Sequence, residues 1–262
     1  KVNFEGYRVD CLTDFALDYL EKVNKNNPFY LFLSYLEPHQ QNDMERFVGP
    51  KNSRSKFEDC SIPQDLEGKE GDWKENFADY LGACNNIDKN LGRIITKLRE
   101  LDLYDNTIIF FVSDHGCHFK TRNAEYKRSC HESSVHIPLV IDGPGFRSSK
   151  ETTQLVSLID IAPTLLRCAN IPVPQYMKGF ALQDMLKGYP KDWRSEVFIQ
   201  ISESQIGRAI RTERWKYSVR APSPNGFTES ESTIYREDFL YDLNSDPYEL
   251  NNLVAQPKYK EV

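Results

Sequence analysis

A chain of 262 residues can bury one large core, or a large core and a small one. Its formal net charge of -6, with Lys and Arg scattered among Asp and Glu, excludes the basic stripe of a nucleic-acid binder. No apolar run approaches the roughly 18 residues that span a bilayer, and six dispersed cysteines without a CxxC pair do not make a disulfide scaffold.

Val9, Leu12, Ala16, Tyr19 and Val23 recur at helical spacing, which predicts an amphipathic helix over residues 9–25. Pro28 to His39 reads as a buried strand with His39 just past its end. From Glu37 to Trp73 the chain is polar and rich in Lys, Asp, Gly and Pro. So long a stretch without periodicity is functional or disordered, and since it starts beside His39 we expect a loop over a site, contributing substrate contacts. Phe77, Leu81, Cys84, Ile87, Leu91, Ile94, Leu98 and Leu101 predict a second, longer helix. Ile108 to Val112 is an unbroken apolar run, the pattern of a strand covered on both faces. His136 to Gly145 is another such strand, ending in a glycine-rich turn. Ser157 to Asn170 predicts a helix that starts near Ala162, because Pro163 is tolerated only in a first turn.

After about residue 194 the pattern changes to short strand-like runs at 196–202, 207–212, 214–219 and 239–243. Ala221 to Arg236 looks like a long hairpin loop, and Asp246-Pro247 would cap and open a short closing helix. The strand-helix-strand alternation predicts an α/β fold with a mostly parallel sheet sandwiched by helices over residues 1–190. Residues 191–262 are expected to form a small antiparallel subdomain.

The chemistry concentrates at Ser113-Asp114-His115-Gly116, directly after the Ile108–Val112 run. In open α/β sheets ligands bind just past the carboxyl ends of strands. A carboxylate and an imidazole therefore stand where a metal or anion would sit, and Gly116 permits a sharp turn there. By themselves these residues also fit a loop-capping Asp beside a surface His, and Lys127 fits an ordinary surface lysine beside Arg128. Cys117-His118 and Cys130-His131 suggest a zinc site, but adjacent ligands lack the spacer of two or more residues that convergence on one ion requires.

Six pieces in order make the chain resemble the sulfatase family of the alkaline-phosphatase-like superfamily. They are Gly6-Tyr-Arg-Val-Asp-Cys-Leu-Thr-Asp14, the Pro28-Phe29 strand ending in Pro38-His39, and the Asp105-Asn-Thr107 turn into Ser-Asp-His-Gly. Lys127 with Glu132 and Ile137-Pro138 follows, then Ile159 to Leu165, then Leu240 to Glu249. The resemblance implies an alkaline-phosphatase-like fold and metal-assisted hydrolysis of a sulfate ester on a sulfated small molecule or saccharide. It implies that Asp114 and His115 ligate a divalent metal, Ca²⁺ or else Mg²⁺. It further implies that Lys127 contacts the sulfate, and that His39 contacts it or protonates the leaving oxygen. Glu132 would be a structural partner, and Asp160 and Glu249 turn or cap residues. Two positions depart from the pattern: His115 stands where many members have Asn, and Gln40-Gln41 follow His39 where many have a nearby Pro.

Members also carry an upstream paired acidic metal site and a Cys-x-Pro/Ala-x-Arg motif whose Cys becomes formylglycine. None of the six cysteines here begins that motif, and no adjacent Asp-Asp pair occurs. The expectation is a downstream portion whose partner is the missing N-terminal half of the same protein, where the formylglycine would lie. Residues 1–262 alone should then be inactive, and the sheet should expose an unpaired edge. Two other readings stay open: a phosphoryl-transfer relative, such as a phosphonate monoester or phosphodiester hydrolase, and a non-catalytic anion-binding module. The N-terminal Lys-Val-Asn-Phe-Glu and the cysteines assign no compartment, so periplasmic, extracellular and cytoplasmic locations all remain open.

Overall fold

The apolar repeat near the N-terminus forms a helix over a slightly shorter span than predicted. Helix α1, Arg8–Lys22, buries Val9, Thr13, Ala16 and Leu20, one stripe at helical spacing. Val23 turns extended and ends it. Helix α2, Trp73–Glu100, packs beside α1 and buries Phe77, Ala83, Ile87 and Leu98. A polar ladder fixes their register. The Asn86 and Asn90 amides donate to Asp10 Oδ1 at 3.1 and 2.7 Å, Arg93 pairs with Asp14, and Lys97 pairs with Glu21 at 2.9 Å. Partners rise together in number, so the two helices run in the same direction.

The structure is a computed structural model that describes residues 4–147, 151–186, 193–223 and 225–262. It divides into two units: one of Lys1–Pro63 and Gly71–Ile109, the other of Gln64–Glu70 and Phe110–Val262. The expected boundary near residue 190 lies outside the described residues. In the first unit, residues 29–36 alternate between half-buried and exposed at every position, the signature of an extended segment. They belong to no sheet, and Tyr30 and Phe32 are 68% and 77% exposed. The segment predicted as a buried strand therefore has the pattern of one but pairs with no strand among the described residues. Beyond it, the long polar stretch is held by buried Phe47 and by a single bridge between Gln41 and Arg46.

The second unit contains the β1 run, Ile109–Val112 with its first residue at the boundary, then α3 (Glu132–Val135) and β2 (Leu139–Asp142). β1 and β2 form a two-stranded sheet. Helix α4, Ile161–Cys168, holds Pro163 in its first turn as the sequence requires. Ahead of it, the Ser157 N–H donates to Asp160 Oδ2 at 2.8 Å, closing a capping box. Strands β3 (Glu196–Glu203), β4 (Gln205–Thr212), β5 (Trp215–Arg220) and β6 (Arg236–Asp242) form an antiparallel sheet in chain order. Its inner face places Ile199, Ala209, Ser218 and Phe239 in one row. That face packs on Cys130, with Tyr241 and Leu243 completing the cluster.

Two expectations need correction, and a third gains a further role. Among the described residues the sheets are this antiparallel four and the β1–β2 pair, not a broad parallel sheet, because 29–36 finds no partner. No helix starts at Asp246-Pro247. Instead the Asp246 carboxylate accepts the Leu250 and Asn251 N–H groups at 2.9 and 2.8 Å and tightens a turn. Glu249 closes a turn, its N–H donating to Asp246 O at 3.1 Å, and its side chain is in addition a buried ion-pair partner of Lys216. No helix among the described residues is long and apolar enough to cross a membrane.

Candidate functional site

Three of the four residues singled out by sequence lie in the second unit, and the structure brings them together. β1 delivers Asp114 and His115 just past its carboxyl end. The Ser113 hydroxyl donates to His115 O at 2.7 Å, and the His115 N–H donates to Asp114 Oδ1 at 3.0 Å. The His115 ring is oriented by its Nδ1, 2.8 Å from Gly116 O, which makes Nδ1 the protonated nitrogen. Nε2 is then an acceptor, and the Lys127 ammonium donates to it at 2.8 Å. Asp114 Oδ2 stands 3.7 Å from the same nitrogen, with its side chain 84% exposed.

The loop between His115 and Lys127 is closed by its own backbone. The His118 N–H donates to Tyr126 O at 2.8 Å. Phe119 and Lys120 both take left-handed φ, 49° and 62°, which costs non-glycine residues energy. Phe119 is buried, so its side chain anchors the turn. Gly116 lies against Ser133: a Cβ there would stand 2.2 Å from Ser133 O. Its role is this close approach rather than the sharp turn that the sequence suggested.

Lys127 is half-buried. Desolvation pushes its ammonium pKa below the ordinary value and Arg128 adds to that, while Asp114 opposes it. Arg128 beside it pairs with Glu125 at 2.7 Å and Glu203 at 2.8 Å. Its carbonyl accepts from Asn123 Nδ2 at 2.9 Å and Gln205 Nε2 at 2.7 Å. The sequence did not single out Asn123 or Gln205. No local pattern could have, since Gln205 is 77 residues from its acceptor.

His39 belongs to the first unit. Its N–H closes a turn onto Leu36 O at 3.0 Å, and its Nδ1 lies 2.5 Å from Gln40 O. Arg8 holds both flanks of this turn, donating to buried Glu37 at 3.0 Å and to Gln41 Oε1, while Gln41 Nε2 donates to His39 O. Gln41 thus helps to position the His39 turn.

Asp114 and His115 fit a divalent cation in part. Two donors 3.7 Å apart can share one ion at ordinary ligand distances of about 2.0–2.6 Å. Two donors are not a shell, however. No group of three or more His, Cys, Asp or Glu able to hold a metal occurs among the described residues. The Lys127 ammonium is the cation that this carboxylate–imidazole pair faces here. Glu132 is a structural partner of Lys216, Arg211 and His136, and these contacts hold its carboxyl down at about 2 against burial.

With the geometry in place, comparisons with known proteins agree across the chain. The family model described as Sulfatase matches residues 2–171, and the model described as N-sulphoglucosamine sulphohydrolase, C-terminal, matches residues 124–262. Arylsulfatase K of Canis lupus familiaris is 35% identical over 193 residues, covering 70% of this chain and 34% of that protein. An arylsulfatase of Clostridium perfringens is 28% identical over 276 residues, covering 94% and 53%. The chain thus spans between a third and about half of these relatives' length. A protein solved in complex with its substrate, D-glucosamine-2-N,6-O-disulfate, superposes with TM-score 0.72 at 21% identity, covering 99% of this chain and 68% of that one. The phosphonate monoester hydrolase of Agrobacterium radiobacter superposes with TM-score 0.69 at 24% identity, covering 97% and 57%. These likenesses show the alkaline-phosphatase-like fold expected from the sequence.

Proposed function

The chain belongs to the sulfatase family, and from that premise we propose that it forms part of a sulfuric ester hydrolase acting on a sulfated saccharide. The observation that carries this reading is the convergence of Lys127, His115 and Asp114 within 2.8 and 3.7 Å past the end of β1. Sulfuryl transfer builds negative charge on the non-bridging oxygens and on the departing oxygen, and fixed cations in a water-poor site stabilise that charge. Lys127, with rotatable donors and a partly desolvated ammonium, suits a tetrahedral anion. His39, held by its Gln40 contact, serves as the sulfate contact or the proton donor to the leaving oxygen. Asp114 and His115 Nε2 are the ligands offered to a divalent metal, Ca²⁺ or Mg²⁺, which when bound would polarise the sulfate oxygens. In this reading residues 191–262 form the antiparallel subdomain. The loops at 37–73 and 221–236 contact the substrate. The saccharide assignment draws on the neighbour solved with a glucosamine disulfate.

No cysteine of this chain lies in a Cys-x-Pro/Ala-x-Arg sequence, so residues 1–262 alone are expected to give no turnover of an aryl sulfate probe. Hydrolysis by the purified polypeptide would refute that. In a longer chain that includes the motif, Lys127→Ala is expected to lower kcat about 10²–10³-fold, the usual loss for one charge-stabilising donor. Unchanged kcat would remove Lys127 from the site. A phosphoryl-transfer activity is the second reading, favoured by the fit to a phosphonate monoester hydrolase. The reading frame ahead of Lys1 separates the two: an unmodified Thr or Ser nucleophile points to phosphate chemistry. Absence of any nucleophile would leave a non-catalytic anion-binding module.

A further inference from the structure

We propose that the second unit binds a small oxyanion, of the sulfate or phosphate class, in a cavity beside the Lys127 loop and separate from the Asp114–His115–Lys127 cluster. The cavity measures about 180 Å³, well above the ~10–15 Å³ that one water needs. Arg122, His131, Arg220 and Asp238 contribute to its wall, and none of Asp114, His115 and Lys127 does.

Two wall residues carry buried nitrogens without a protein partner. The Arg122 Nη atoms donate to Glu249 O and Tyr248 O, both at 2.7 Å, but its Nε–H is buried with no protein partner. His131 Nε2 lies 3.4 Å from the Tyr241 hydroxyl, and its buried Nδ1 also has none. An unmet buried donor is costly, so an acceptor reaching the Arg122 Nε–H would relieve it.

Charge favours an anion over water alone. Two guanidiniums, Arg122 and Arg220, share the wall with one carboxylate, Asp238, which is 3.9 Å from Arg220. Burial first, then Arg122, Lys216 and His118, all push the His131 pKa down. Arg122 thus places positive potential at that ring. Water satisfies donors but not surplus charge, whereas an oxyanion accepts several hydrogen bonds and neutralises the excess. Asn123 and Gln205 also line the cavity and donate to Arg128 O. An anion here would therefore stiffen the segment that presents Lys127. The inference concerns binding and is independent of the hydrolytic reading.

The test is calorimetric titration of residues 1–262 with inorganic sulfate and, separately, phosphate. The His131 ring signal would be followed by NMR in parallel. Saturable binding of either ion is expected, weakened at least tenfold by Arg220→Gln and by His131→Phe, and changed less than twofold by Arg167→Gln, which removes an exposed arginine outside the cavity wall. Phe keeps the ring packing on Phe239, whose centroid is 4.4 Å away, and Arg220 is exposed, so both variants should fold. No saturable binding of either ion, or binding lost in Arg167→Gln and kept in the other two variants, would overturn the proposal.

Discussion

Two single residues near the candidate site explain much of its local order. Gly116 is forced by proximity, since any side chain would enter the Ser133 carbonyl. Its N–H also donates to Ser134 O at 2.8 Å, tying the end of β1 to α3. Gly116→Ala should therefore cost about 1–3 kcal/mol, the range for overpacking, read as a lower urea midpoint at unchanged slope. His118 is fully buried, with neither ring nitrogen paired. Burial lowers its pKa from the ordinary 6.5 to about 4, so the folded state resists a proton that the unfolded chain accepts. Stability should be full above about pH 6.5 and fall toward pH 4, by up to about 1.4 kcal/mol per unit. His131, lowered to about 2, adds to this loss. His136 acts oppositely: Glu132 raises its pKa, which adds stability in acid that fades as pH rises through that raised value. Melting temperature against pH should be flatter in His118→Phe than in the parent between pH 4 and 6.5.

At the scale of elements, the helices and strands were legible because their periods are local. α1, α2 and α4 lie within a few residues of their predicted spans, and the four C-terminal strands match their apolar runs. Which face of a strand is buried was less legible. In β5 the apolar set is Trp215, Tyr217 and Val219, yet Lys216 and Ser218 are the fully covered positions. Register decides this: Lys216 stands between Arg211 and Tyr241 on the inner face. Lys216 is tolerated there because Glu132 and Glu249 both pair with it, the latter at 2.8 Å. Burial raises the Glu249 carboxyl pKa, opposed by Lys216. Lys216→Met should destabilise by about 3–5 kcal/mol, since it leaves buried Glu249 without its cation, while Glu132 keeps Arg211 and His136. A loss under 1 kcal/mol in urea unfolding would show that the trio contributes little.

For the molecule as a whole, the first unit presents large apolar side chains on a segment without a sheet neighbour. Tyr30, Phe32 and Leu36 project from one side of residues 29–36. Unpaired edges and exposed apolar patches promote pairing with other chains. Residues 1–262 alone are therefore expected to self-associate and to bind an apolar-surface dye, and Phe32→Lys should reduce both. A single monomer peak by size-exclusion chromatography, without dye binding, would count against this.

Composition, periodicity and motif order were enough to identify the family and the helices, and to single out Asp114, His115 and Lys127 as neighbours past β1. Those properties are carried by neighbours within a few positions, so a linear reading reaches them. The hydrogen bond from Lys127 to His115, the clamp of Asn123 and Gln205 on the Arg128 carbonyl, and the burial of Lys216 depend on segments up to 117 residues apart, as in the contact of the Glu132 N–H with Glu249 Oε2. Chain closure brings such groups together, and no local period records which distant partner a side chain will meet.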